Sequence, residues 1–81
     1  MLMVRMKGVE LYGGYIDGLE LRLPETDLWF IYEVNYVVNG ILQMSEIIYQ
    51  ASGEYNSKGN EKFYFCEEIG GSFIADVNDW D

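Results

Sequence analysis

The sequence has no histidine, one cysteine (Cys66), one proline (Pro24) and only 5 lysines and arginines among 81 residues. Without histidine there is no Ser-His-Asp triad, no Cys-His nucleophile pair and no imidazole-ligated metal. One cysteine rules out an intramolecular disulfide and a thiolate zinc cluster. Cys66 therefore reads as a reduced, partly buried thiol in a reducing cytoplasm. The few cations face 14 aspartates and glutamates, for a formal net charge of -9. Phosphates are repelled by such a surface, so neither nucleic acid nor an anionic membrane is an expected direct partner. No stretch approaches the ~20 apolar residues of a membrane span. The opening Met1 to Lys7 is broken by Arg5 and Lys7, where a secretory signal needs about 7–15 apolar residues in a row.

What is present points to a folded β domain. Hydrophobic residues make up 49% and aromatics 16%, too many for a disordered chain. A compact chain of this size exposes roughly 5,000 Å² and holds one small core. Apolar spacing of helical period is not sustained anywhere, whereas β signals recur. Val9 to Tyr12 is a short apolar run ending at Gly13-Gly14. In Gly18 to Pro24, Leu19, Leu21 and Leu23 alternate with Glu20 and Arg22, the pattern of a half-buried strand that proline terminates. Leu28 to Val34 is bulky on both faces. Asn39-Gly40 sits between two apolar runs and predicts a type I′ hairpin joining strands at about 28–38 and 41–50. A second hairpin is expected from Tyr49–Tyr55 and Lys62–Glu68 around the polar loop 56–60, and Ser72 to Ala75 adds a short strand. The expected fold is all-β: a small antiparallel meander of five or six strands, curled or barrel-like. It forms one domain over 1–75, followed by an acidic tail over 76–81.

Candidate chemistry is sparse. Gly13, Gly14, Asp17 and Gly18 read as a structural turn. No P-loop lysine or helix follows them, and Asp17 would repel a phosphate. Glu67 and Glu68 are strand neighbours and point to opposite faces, so they cannot form a catalytic carboxylate pair. The acids of the tail lack the ligand spacing of a calcium loop, because the chain stops at Asp81. The seven tyrosines suit cross-strand packing and binding surfaces. Base stacking by them would need a basic groove that five cations cannot supply. No catalytic residue, metal or cofactor is expected.

The charge itself is uneven. Seven of the 14 acids fall within residues 54–81, against Lys58 and Lys62. Lining one face, they would present a negative strip to a basic groove, with aromatic anchors beside it. The expected partner-binding residues are Glu54, Tyr55, Glu61, Glu67, Glu68, Asp76, Asp79, Trp80 and Asp81.

The pattern Val9-x-Leu11-x-Gly13-Gly14-x-x-Asp17-Gly18, with Tyr49, Gly53, Gly59, Phe63 and Phe65 later in the chain, resembles short uncharacterised proteins encoded by bacteriophages and prophages. Those proteins usually carry proline after the Gly-Gly pair, where this sequence has Tyr15. The resemblance implies a phage origin and the cytoplasm of a host cell, but no activity. Together with the charge, it leads to the expectation of a non-catalytic acidic module. Such a module would be a phage inhibitor of a basic host defence protein, for example a nuclease, and would act as a nucleic-acid mimic on its binding surface. Two alternatives stand beside it. One is a virion or assembly accessory that forms a homo-oligomer through the Leu28–Val34 strand. The other is a small-ligand binder for a signalling nucleotide.

Overall fold

A computed structural model of the chain describes residues 3–76, with side chains as far as residue 70. It is all-β, with five strands: β1 (Met6–Tyr12), β2 (Glu20–Pro24), β3 (Trp29–Val38), β4 (Ile41–Tyr55) and β5 (Glu61–Asp76). They form one sheet in the order β2-β1-β5-β4-β3. β1 and β2, β3 and β4, and β4 and β5 pair antiparallel, as in a meander, but β2 and β3 are opposite edges and β1 lies parallel to β5 through Val9↔Glu61 to Tyr12↔Tyr64. The sheet is therefore mixed and curls into a half-barrel. The strands expected at 41–50 and 49–55 are one continuous β4, and the short strand expected at 72–75 is the end of β5.

The curl follows from chain length. Laid flat, the strand order would put β2 and β3 about 19 Å apart, at about 4.8 Å per strand spacing. The link from Pro24 to Leu28 spans four peptide units and reaches at most about 14 Å. It is shortened further by a turn in which the Asp27 N–H donates to the Pro24 carbonyl at 2.9 Å. Leu28 is already paired with β4, because its carbonyl accepts from the Ala51 N–H at 2.9 Å. The two edges are thus drawn together at this end. Register shifts along β4 and β5, at Ile48/Tyr49 and Ala51/Tyr55 among others, supply the bulges that bend the long hairpin.

The core occupies the mouth so formed. Val9, Leu11, Ile47, Tyr49 and Phe63 are fully buried, with Ile16, Leu21, Leu23, Phe30, Val34 and Ala51 packed against them. The Gly13–Gly18 turn caps this core through one hydroxyl. Tyr49 Oη donates to the Gly13 carbonyl at 2.6 Å and accepts from the Ile16 N–H at 3.4 Å. The Asp17 carboxylate accepts from the Gly13 N–H at 2.6 Å, the structural role expected for that motif. Gly14 has φ +69°, and a methyl group there would lie 2.8 Å from Tyr49 Oη and 2.9 Å from the Phe65 ring. Only glycine lets the turn sit this close.

Beneath the Pro24–Leu28 link lies an ion pair. Lys7 Nζ meets Glu61 Oε1 at 2.7 Å with both side chains nearly covered, and also donates to the Asp27 carbonyl at 2.8 Å. The second oxygen of Glu61 accepts from the Gly53 N–H at 3.0 Å. One pair therefore joins β1, β5, the β2–β3 link and a turn in β4. Breaking such a pair leaves a buried charge alone, whereas replacing both members with apolar groups costs little. Lys7→Met is expected to lower unfolding stability by about 3 kcal/mol in urea titrations. The double variant Lys7→Met/Glu61→Leu should recover most of that loss. Equal destabilisation in both would contradict this role.

Candidate functional site

The strand lengths divide the sheet into two halves. β1 has 7 residues and β2 has 5, whereas β4 has 15 and β5 has 16. The short pair covers one half of the long hairpin. The other half, built from β3, the first part of β4 and the later part of β5, is a three-stranded sheet to which, among the described residues, β1 and β2 do not extend.

The charges divide along the same line. No lysine or arginine occurs between residues 23 and 57, or after Lys62. β3 and β4 therefore carry none, and that of β5 lies at its second residue. The cations gather around β1, β2 and the 56–60 loop. Lys7 pairs with Glu61, and Lys58 Nζ meets Glu20 Oε1 at 2.9 Å. Lys62 Nζ lies 5.6 Å from the centroid of the Tyr12 ring. The hydrogen bond to Glu20, its charge and that of Glu10 raise the Lys58 pKa above its ordinary 10.5. A raised lysine pKa adds stability that is complete below the unfolded value and is lost only as pH rises through the folded one. The contribution is therefore unchanged across neutral pH and fades only in strong alkali.

In the open half, Glu33 and Glu46 lie on strands without a cation, and Glu67 and Glu68 lie on the part of β5 beyond Lys62. On the outer face Glu33 stands directly opposite Glu46, and Glu67 lies diagonally from Glu46, next to its partner Ile69. Directly opposed like charges destabilise a sheet. The same outer face exposes Trp29, Ile31 and Ile69 between the acids. On the inner face a cavity of about 430 Å³ is lined by Tyr15, Val34, Tyr36, Ser45, Ile47 and Glu68. Ser45 Oγ donates to Tyr36 Oη at 3.3 Å. The lining carries one carboxylate and no cation, so it suits an apolar or cationic group and repels a phosphate.

The expected binding residues are not brought into one strip. Glu61 is 5% exposed and bonded to Lys7 and Gly53, so its assignment to an exposed acidic strip is corrected: it is an interior structural residue. Glu54 and Tyr55 are exposed at the far end of β4 beside the cation-bearing loop, where Glu54 Oε1 accepts from Tyr64 Oη at 3.3 Å. Glu67 and Glu68 lie in the open half on opposite faces, as their adjacency requires. Asp76 ends β5, and its side chain, with Asp79, Trp80 and Asp81, lies outside the described residues. Glu33 and Glu46 were missed. The turn at Asn39-Gly40 fixes Val38 against Ile41, and counting back from it sets residue 33 against 46. That signal was legible in the sequence. Among the described residues no group of three or more acids or cysteines is arranged to hold a metal ion.

Compared with known proteins, the chain matches no family model, no curated protein and no solved structure.

Removing one member of the opposed glutamate pair should relieve repulsion. Glu46→Gln is expected to raise unfolding stability by roughly 0.2–1 kcal/mol at low salt. Salt screening should shrink the gain. Denaturant titrations at two ionic strengths would show it, and a destabilised Glu46→Gln protein would contradict it.

Proposed function

We propose that the chain is a non-catalytic acidic binding module that lays the cation-free half of its sheet against a basic surface of a partner protein. The observation that carries this reading is the segregation of charge. Glu33, Glu46, Glu67 and Glu68 share a half of the sheet to which β3, β4 and the later part of β5 contribute no lysine or arginine. Self-repulsion of this kind costs stability in the free chain and is relieved when a partner supplies cations. Trp29, Ile31 and Ile69 stand among the acids and supply apolar area for the same contact.

In its sharper form the module is a phage-encoded inhibitor inside a host cell. It occupies the nucleic-acid-binding surface of a basic defence protein, such as a nuclease, by presenting carboxylates where that surface expects phosphates. The phage origin draws on the resemblance of the Gly13–Gly18 opening, and the target class draws on charge. A second reading, an assembly accessory that self-associates, draws on the exposed edge of β3. A signalling nucleotide fits less well, because Glu68 is the charged group lining the inner cavity.

The test is capture of basic host proteins on the immobilised chain at low and moderate salt, followed by competition with nucleic acid. Binding should weaken with salt and be displaced by nucleic acid. A Glu33→Gln/Glu46→Gln/Glu67→Gln variant should lose on the order of tenfold or more in affinity, while Lys58→Gln should not. A complex whose interface leaves the partner's nucleic-acid groove free would contradict the inhibitor reading.

A further inference from the structure

The two edges of the sheet are built differently. β2 is short, carries Glu20 and Arg22, and ends in Pro24. Those are the devices that keep an edge from pairing. β3 runs for 10 residues with no proline, lysine or arginine, and Glu33 is its one charged residue. Its large side chains are exposed on both faces, Ile31 and Val37 on the outer one and Tyr32 and Val38 on the inner one. The register shows which backbone groups are free. Leu28 and Val38 are hydrogen-bonded partners of β4, the first through Ala51 and the second across the two-residue turn. Even-numbered residues of β3 therefore spend their N–H and C=O groups on β4. Trp29, Ile31, Glu33, Asn35 and Val37 turn theirs toward the open edge.

The dimensions also leave room for a partner. The accessible surface is 5752 Å², against roughly 5,000 Å² for a compact chain of this mass. The excess of roughly 700 Å² is close to the ~800 Å² each partner buries in a standard interface. The radius of gyration is 16.1 Å, against about 12 Å for a compact domain of this length.

We propose that a second copy of this chain pairs with β3 edge to edge and antiparallel, about a twofold axis through Val34. Such an axis, perpendicular to the sheet, keeps each face on its own side, so opposed positions must have the same parity. An axis through Glu33 sets two carboxylates against each other. Axes through Tyr32 or Asn35 set Glu33 against Ile31 or Val37. The axis through Val34 sets Glu33 against Asn35, Tyr32 against Tyr36, Ile31 against Val37 and Phe30 against Val38. It gives the carboxylate an amide donor and pairs the aromatic rings, while Ile31, Glu33, Asn35 and Val37 of each copy exchange backbone bonds.

This pairing rests on the self-association reading, is independent of the basic-partner one, and responds to salt in the opposite sense to it. Two chains of charge -9 repel, so self-association should strengthen as salt rises. Light scattering after size exclusion should give twice the 9.4 kDa chain mass at moderate salt. Asn35→Pro removes an N–H that faces the open edge and leaves the ladder to β4 intact, so the mass should halve with circular dichroism unchanged. Ile31→Lys, on an exposed side chain, should do the same and serves if the proline variant unfolds. With Cys66→Ser as background, Val34→Cys should oxidise to a covalent dimer, because residues on the axis sit about 4.5 Å apart, within disulfide reach. Glu33→Cys should not. A single-chain mass for the unaltered protein at every salt concentration, a dimer that survives both edge variants, or preferential cross-linking through Glu33→Cys would each overturn the proposal.

Discussion

The structure depends on a short seam, the four-residue parallel ladder that joins Val9–Tyr12 of β1 to Glu61–Tyr64 of β5. It places Val9 and Leu11 against Phe63, Ile47 and Tyr49, which together are the buried core. It also brings Lys7 onto Glu61. Because the seam is short and the β4–β5 hairpin long, burial ends where β1 ends. The turn after β1 closes the core over Tyr49, and beyond it three strands continue without a partner from β1 or β2.

The proposed function rests on that division. The covered half holds the cations, of which Lys7 and Lys58 meet carboxylates and Lys62 lies over an aromatic ring. The uncovered half holds acids with apolar side chains between them. Glu10 and Glu20 also oppose each other across β1 and β2, but there Lys58 meets Glu20, whereas Glu33 and Glu46 face each other on strands without a cation. Opposed like charges are unfavourable in the free protein, and in the proposed function a basic partner relieves them, which would give the net charge of -9 a direction as well as a magnitude.

Much of this was legible in the sequence. The all-β class came from alternating leucines and β-branched runs, and the first hairpin came from Asn39-Gly40, where both residues have positive φ (53° and 80°). The 56–60 loop was also marked by its composition. Asn56 pins it, accepting from the Lys58 and Asn60 N–H groups and donating to Glu10 and Tyr12. What could not be read was the parallel seam. Nothing local in Val9–Tyr12 says that its neighbour is fifty residues away, since long-range pairing is decided by the summed burial of both strands. The error over Glu61 has the same origin. In the sequence it is one more acid in an acidic third, and only the seam gives it Lys7. The positions 33 and 46 could have been paired by counting back from the turn, because the hairpin register is local.

In the proposed function, cations are received by the open half of the sheet and not by the acidic surface as a whole. The most direct measurement is a residue-resolved amide NMR titration of the free protein with a short oligolysine peptide at low salt. The result expected is shifts concentrated at Glu33, Glu46, Glu67, Glu68 and their strand neighbours, with Glu10, Glu20 and Glu25 unmoved. Shifts spread evenly over all the acids, or centred on Glu20 and Glu25, would contradict the account.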